Sequence, residues 1–190
     1  MERVVMSLMD EIRAFVPACE QEERDQVQML RFMEEHDDYL ERRNLVAHLT
    51  ASIWTVNAAR NKTLMVYHNI YDSWSWIGGH ADGCEDLRSV ALSELREETG
   101  VTSGRLVRED ILSLETLVVE GHIKRGEYVP CHLHMNVTYL AEADEHEPLT
   151  VKDDENQGVR WFTFDEALRV PTEPWMVERI YKKLVGRSTR

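Results

Sequence analysis

The segment from Gly79 to Val101 indicates the fold class, and it reads GHADGCEDLRSVALSELREETGV. Within it, Leu87 to Thr99 has the apolar spacing of a helix and is followed at once by a glycine, the residue expected just past a helix end. Each helical residue advances about 100° around the axis, so Glu94, Glu97 and Glu98 fall within an arc of roughly 100°. Three carboxylates are therefore predicted to share one helix face.

These carboxylates lie where an ordinary solvated helix would not place them. The same arc contains Leu87, Val90 and Ala91, so the acidic cluster continues the apolar face instead of opposing it. Like charges four residues apart repel, and the C-terminal end of a helix favours cations. A positive group is therefore expected beside the cluster. Oxygen ligands gathered in this way suit Mg²⁺ or Mn²⁺, so the segment predicts a metal site that handles phosphate groups.

The segment resembles the Nudix box, Gly-x5-Glu-x7-Arg-Glu-U-x-Glu-Glu-x-Gly-U, where U is an apolar residue. Eight of the nine constrained positions match, and they are Gly79, Glu85, Glu94, Leu95, Glu97, Glu98, Gly100 and Val101. The exception is Ser93, where the family has an arginine that usually helps to orient the glutamates. Serine cannot supply that charge. Arg88 and Arg96 are candidates to replace the arginine, although neither projects to the same helix position.

The resemblance implies an α/β/α sandwich on a mixed sheet and metal-dependent hydrolysis of a pyrophosphate bond in a nucleoside diphosphate linked to a group X, or in a related small organic pyrophosphate. In the family, glutamates matching Glu94, Glu97 and Glu98 hold Mg²⁺ or Mn²⁺, and the carbonyl matching Gly78 often adds a ligand. One glutamate can instead act as the base. Glu97 is the first choice for this catalytic role and Glu94 the second, whereas Glu85 matches a glutamate that supports the loop-helix geometry.

Three further residues are candidates for the pocket. Glu155 precedes a predicted strand, at a place where some family members contribute another acidic ligand or base. An exposed loop carboxylate beside Asp153 and Asp154 is the simpler interpretation. His132 and His134 alternate along one strand, so they face the same side and can line a substrate pocket or a metal site. A pair of polar sheet residues is the commoner explanation.

The order of predicted elements is mixed. Val4 to Phe15 and Glu20 to His36 predict a helical hairpin, so we expect an N-terminal helical extension over residues 1–44 and a Nudix domain over residues 45–190. Trp74 to Ile77 predicts a strand that ends in a turn at Gly78-Gly79. The other predictions are a hairpin of strands at His48–Val56 and Thr63–His68, strands at Ile111–Glu120, His132–Ala141 and Gly158–Phe162, and helices at Phe164–Leu168 and Trp175–Leu184.

Composition bounds the partners and the compartment. Of 190 residues, 43% are apolar, which is enough for one substantial core. The formal charge of -13 repels nucleic-acid backbones, so we expect no nucleic-acid polymer as a partner. The resemblance implies a small-molecule diphosphate substrate instead. Cys19, Cys84 and Cys131 are odd in number and form no CxxC pair, which argues against a disulfide framework and a zinc site and favours the cytoplasm. Neither a signal peptide nor a membrane span is expected.

Two alternatives to hydrolysis stay open. One is an enzyme resembling isopentenyl diphosphate isomerase, which shares the fold and needs a catalytic cysteine as well as a glutamate. Cys84 lies inside the box, but no matching cysteine motif precedes it. The other is a catalytically weak or silent domain that binds a nucleotide or partner, which Ser93 favours and the intact glutamates oppose. The N-terminal helices can cap the pocket, cover the sheet or form a homodimer contact, and the last is preferred.

Overall fold

The computed structural model describes residues 6–124 and 126–189. Its strands are β1 (Ala47–Val56), β2 (Lys62–His68), β3 (Ser73–Ser75), β4 (Ile77–His80), β5 (Arg105–Leu106), β6 (Ser113–Val119), β7 (His122–Lys124), β8 (Glu127–Val129), β9 (His132–Glu142) and β10 (Asn156–Thr163). Eight of them form a mixed sheet with the path β10-β2-β1-β9-β5, in which β3 pairs with β2, β4 with β1 and β6 with β9. The central strands β1 and β9 are parallel. β7 and β8 form a separate hairpin.

Helices cover both faces of this sheet. They are α1 (Leu8–Ala14), α2 (Glu20–Glu35), α3 (Leu87–Thr99), α4 (Phe164–Ala167) and a C-terminal helix made of α5 (Pro174–Met176), a π-helical turn (Val177–Tyr181) and α6 (Lys182–Ser188). The α/β/α sandwich on a mixed sheet, preceded by two helices, is therefore confirmed.

Alternation along β1 divides the interior into two cores. Leu49, Ala51 and Ile53 pack into a core that α1, α2 and α3 cover. Trp54 and Val56 pack into a second core with the C-terminal helix. The two cores lie on opposite faces because successive side chains of a strand point to opposite sides of the sheet.

The N-terminal helices are part of the first core. Ile12 of α1 and Met29 of α2 are fully buried there. The hydroxyl of Ser7 accepts from the amide of Asp10 at 3.2 Å and caps α1, while the predicted helix start at Val4 lies outside the described residues. The helices thus cover the sheet. The division between residues 44 and 45 and a homodimer contact stay predictions.

The predicted turn at Gly78-Gly79 is wrong. Both glycines lie in β4, where Gly79 pairs with Ala51 of β1. They permit close packing rather than a turn, because a Cβ on Gly78 would lie 2.6 Å from the carbonyl oxygen of Ala51. The chain turns a few residues later, at Asp82 and Gly83, whose φ angles are 46° and 85°.

The remaining predicted elements are confirmed, most ends being shifted by one or two residues. The predicted strand Trp74 to Ile77 is two strands, because the chain changes partner from β2 to β1 at Trp76. The sequence did not predict β5, β7 and β8, since two or three residues are too few to show an alternating pattern. No helix in the described ranges is long and apolar enough to cross a membrane.

Candidate active site

A cavity of about 870 Å³ opens where a polar region of the sheet meets the C-terminal end of α3. Its floor is formed by alternate residues of β1 and β9, which share one side of the sheet: His48, Thr50, Ser52, His132, His134 and Asn136. The cavity also contains the predicted site residues Gly78, Glu94, Glu97, Glu98 and Glu155. The structure therefore brings together every predicted site residue except Glu85.

A hydrogen-bond network holds this floor. The side-chain oxygen of Asn136 accepts from the hydroxyls of Thr50 at 3.0 Å and Ser52 at 2.8 Å. The amide group of Asn136 donates to the buried carboxylate of Glu115 at 3.2 Å, and Nζ of Lys183 lies 3.1 Å from the same carboxylate. Asn136 of β9 thus accepts from two buried hydroxyls of β1, and these hydrogen bonds join the two strands beneath the cavity.

Glu98 is the most buried of the three box carboxylates, with 3% of the residue exposed. Its Oε1 accepts from the backbone amide of Gly78 at 3.1 Å, and its Oε2 accepts from Nδ2 of Asn156 at 2.8 Å. Burial raises the pKa of Glu98 to about 8 despite these two hydrogen bonds, and the negative charge of Glu94 adds to the increase. The ionised form of Glu98 therefore requires more positive charge than the described residues place beside it.

Glu94 lies directly against β4. A Cβ on Gly79 would overlap the carboxylate of Glu94, so the first glycine of the box is required by this contact. Burial raises the pKa of Glu94, Lys152 opposes the change, and the charges of Glu97 and Glu155 raise the pKa further. The carboxylates are thus close enough to repel one another.

Ser93, which stands where the box has its arginine, and Lys152 both contact Glu97. The hydroxyl of Ser93 donates to Oε1 of Glu97 at 3.0 Å. Nζ of Lys152 lies 3.9 Å from Oε2 of Glu97 and 2.8 Å from Oε2 of Glu155. Glu97 therefore has a hydroxyl donor on one oxygen and a cation beside the other. The Glu97 side chain is 55% exposed, so water reaches it.

Neither of the two arginines that are candidates to replace the box arginine lines the cavity. The guanidinium of Arg88 donates to Glu11 at 2.7 Å, towards α1, because its helix position faces away from the box glutamates. Arg96 is exposed and lies outside the cavity lining. Arg42 does lie in the cavity wall, but its Nε donates to Asp82 at 2.6 Å, so much of its charge is compensated.

His132 and His134 are joined in the cavity by His48 and His80. Strand pairing brings them together, since His48 lies opposite His134 in the β1-β9 pair and His80 ends β4, which pairs with β1. Burial lowers the pKa of His80 and of His134 to about 2, and nearby positive groups, including Arg42, lower it further. Both imidazoles are therefore neutral at physiological pH.

Glu85 and Glu155 lie in different settings. Glu85 is exposed on the loop before α3, where, together with burial, it raises the pKa of Tyr39. Its predicted supporting role stays a prediction. Glu155 is half-buried in the cavity wall, whereas its neighbours Asp153 and Asp154 are exposed.

Several residues of the site were not predicted from the sequence, among them Lys152, Asn156, His48 and His80. Only His48 left a signal, because it begins a polar alternation with Thr50 and Ser52 along an otherwise apolar strand.

The fold and the cavity define a class of α/β domains. In this class the acidic end of a helix, here α3, and a glycine-containing strand beside it, here β4, face one polar cavity. The NUDIX domain profile matches residues 46–184, and the chain belongs to this family. The recognition based on Gly79 to Val101 is therefore confirmed.

Relatives and a solved structure agree with this membership. The asymmetrical bis(5'-nucleosyl)-tetraphosphatase of Rattus norvegicus is 31% identical over 98 residues, which cover 51% of this chain and 60% of the relative. Nudix hydrolase 27, chloroplastic, of Arabidopsis thaliana is 54% identical over 41 residues, 22% of this chain and 18% of the relative. The match thus spans less than two thirds of either relative. A C. elegans Ap4A hydrolase binary complex shares the fold, with a TM-score of 0.53 and 19% identity over 74% of this chain and 94% of that chain.

Proposed function

We propose that this chain is a Mg²⁺- or Mn²⁺-dependent hydrolase of a pyrophosphate bond, acting on a nucleoside diphosphate linked to a group X or on a related small organic pyrophosphate. The observation that carries the proposal is the position of Glu94, Glu97 and Glu98 in the wall of one cavity beside Gly78. The name of the Rattus norvegicus relative makes a polyphosphate between two nucleosides the first substrate to test.

The carboxylates fit a divalent cation. Their donor atoms are all oxygens, which Mg²⁺ and Mn²⁺ prefer. Burial raises the pKa of Glu98 to about 8, so a cation nearby stabilises the ionised form that binds it. Lys152 contacts Glu97 and Glu155, so it does not supply the positive charge that Glu98 requires. Glu94, Glu97 and Glu98 would hold the cation or cations, with the carbonyl of Gly78 as a further ligand.

When bound, the cation neutralises negative charge that develops on the phosphate oxygens. Glu97 acts as the base, because it is exposed to water and Ser93 holds its carboxylate in place. A water oxygen forms a bond to phosphorus, the bridging oxygen leaves with the other phosphate group, and the proton of the water passes to Glu97. Glu94, held against Gly79, is the second choice for this role.

The alternatives find less support in the geometry. Sγ of Cys84 lies 3.7 Å from the carbonyl oxygen of Asp86, in the loop before α3 and outside the cavity lining, so it does not suit an isomerase. The alternative of a catalytically silent domain depends on Ser93 in place of the box arginine. The hydroxyl of Ser93, however, donates to Glu97 as an orienting residue would.

The compartment and assembly are also proposals. Cys19, Cys84 and Cys131 are all free, which is typical of a reducing compartment such as the cytoplasm. A homodimer remains a prediction that sedimentation of the full chain tests.

Incubation of the full chain with Mg²⁺ or Mn²⁺ tests hydrolysis. The panel contains a bis(5'-nucleosyl) tetraphosphate, nucleotide sugars, nucleoside triphosphates and a non-nucleotide diphosphate, and products are separated by anion exchange. We expect metal-dependent turnover, with ¹⁸O from labelled water found on a product phosphate. Glu97→Gln should reduce kcat by about 100-fold or more, whereas Glu178→Gln, at an exposed position of the C-terminal helix, should leave it unchanged. Turnover that is absent on every substrate refutes hydrolysis and favours the silent domain.

A further inference from the structure

Four imidazoles converge in the cavity from three strands. His48 lies in β1, His80 ends β4, and His132 and His134 begin β9. One nitrogen atom from each ring lies within 4.8 Å of the other three. In a tetrahedral zinc site the Zn-N distance is about 2.0–2.1 Å, which separates the nitrogens by about 3.3 Å. Nε2 of His132 and Nε2 of His134 are 3.1 Å apart, close to that separation, and the remaining ligand atoms would need to move inward from separations of at most 4.8 Å.

Backbone carbonyls orient two of these rings. Nδ1 of His48 lies 3.1 Å from the carbonyl oxygen of Asn44, and Nδ1 of His132 lies 2.9 Å from that of Pro130. Because a carbonyl only accepts, each Nδ1 carries the proton and each Nε2 keeps a lone pair. Nε2 of His48 is buried and has no hydrogen-bond partner in the described part of the chain. Metal-binding histidines are held in this way, with the outer nitrogen bonded to a carbonyl.

We propose that His48, His80, His132 and His134 bind one transition-metal ion of the zinc class, at a site separate from the box carboxylates. Imidazole nitrogens suit Zn²⁺, Co²⁺, Ni²⁺ or Cu²⁺, whereas Mg²⁺ and Mn²⁺ prefer oxygen ligands. The cysteine spacing argued against zinc, but these ligands are all histidines from strands far apart in the chain. The site does not depend on the proposed hydrolysis. Because the histidines share the cavity with the carboxylates, a bound ion adds positive charge to that cavity.

Competition with a chromophoric zinc chelator tests this site in the full, metal-free chain. Saturating Mg²⁺ is present, so that it occupies the carboxylates. We expect one equivalent of Zn²⁺ to bind, and Co²⁺ to give the intense visible absorption of a tetrahedral site. His132→Ala and His134→Ala should each weaken Zn²⁺ binding at least about 100-fold, since each removes a ligand. His146→Ala, at an exposed position outside the cavity, is the matched control.

The result is compared across two kinds of variant. Glu98→Gln should leave Zn²⁺ binding unchanged; Zn²⁺ binding that is lost in Glu98→Gln but kept in the histidine variants overturns the proposal. The proposal is also overturned if the chain binds no Zn²⁺, or if it binds inorganic phosphate through His132 instead. Circular dichroism of each metal-free variant checks folding, and His134→Gln replaces His134→Ala where the latter unfolds. If the wild-type chain binds Zn²⁺ but shows no turnover, only the proposed hydrolysis is refuted. The two proposals can therefore fail separately.

Discussion

Glu22 of α2 joins the N-terminal helices to the C-terminal helix, and its removal should destabilise the fold. The residue is fully buried, and its two carboxylate oxygens lie 2.6 and 2.7 Å from the guanidinium nitrogens of Arg187. Nζ of Lys183 lies 3.1 Å away. Burial by itself would raise the pKa of Glu22, but hydrogen bonds from Arg187 and from the amide of Ala18, with the charge of Lys183, lower it from 4.5 to about 2.

The magnitude follows from this pKa. One pKa unit corresponds to about 1.4 kcal/mol, so ionised Glu22 stabilises the folded state by about 3 kcal/mol at pH 7. Because the folded-state pKa is below the unfolded one, this stability is complete above about pH 4.5 and is lost as the pH falls towards 2. At pH 3 about 1 kcal/mol remains. Glu22→Gln should therefore lower Tm by about 6–12 °C at pH 7.

Urea unfolding of the wild-type chain, Glu22→Gln and Glu23→Gln at pH 7 and pH 3 measures these differences. Glu23 is the neighbouring exposed carboxylate of α2, and its substitution should change the free energy of unfolding by less than about 0.5 kcal/mol. The reasoning is refuted if Glu22→Gln costs less than 1 kcal/mol at pH 7, or if its cost is the same at both pH values.

Two further predictions concern the cavity. Gly79→Ala places a Cβ where the flexible carboxylate of Glu94 lies, so kcat should fall about 100-fold while Tm stays within about 3 °C. Gly78→Ala is the comparison, because its Cβ meets rigid backbone and should lower Tm. Equal effects of the two substitutions on Tm contradict the contact of Gly79 with Glu94. Lys152→Met removes a cation that competes with Mg²⁺ for the carboxylates, so half-maximal activity should need about fivefold less Mg²⁺, as a Coulomb difference of about 1 kcal/mol gives. Mg²⁺ titrations measure this change, and the control is Lys182→Met, which removes a lysine from an exposed ion pair of the C-terminal helix. A higher Mg²⁺ requirement in Lys152→Met contradicts this reasoning.

The sequence alone determined what depends on short-range periodicity. The three glutamates of α3 share a face because the helical repeat places them there, and the sequence predicted α3 with both of its ends. The central strands β1, β2 and β9 and both N-terminal helices also followed from local patterns. The family follows from the same segment, Gly79 to Val101, because box residues are contiguous in the chain.

Only the tertiary structure decided which distant residues complete the site. Lys152 precedes β10 and reaches Glu97 of α3 because the loop before that strand folds over the cavity, and no local pattern links the two residues. The candidates that the sequence offers to replace the missing arginine lie on α3 itself, where Arg88 donates to Glu11 of α1 and not to the box glutamates. The four histidines likewise meet through the register of β1 with β4 and β9, which long-range hydrogen bonds between strands determine.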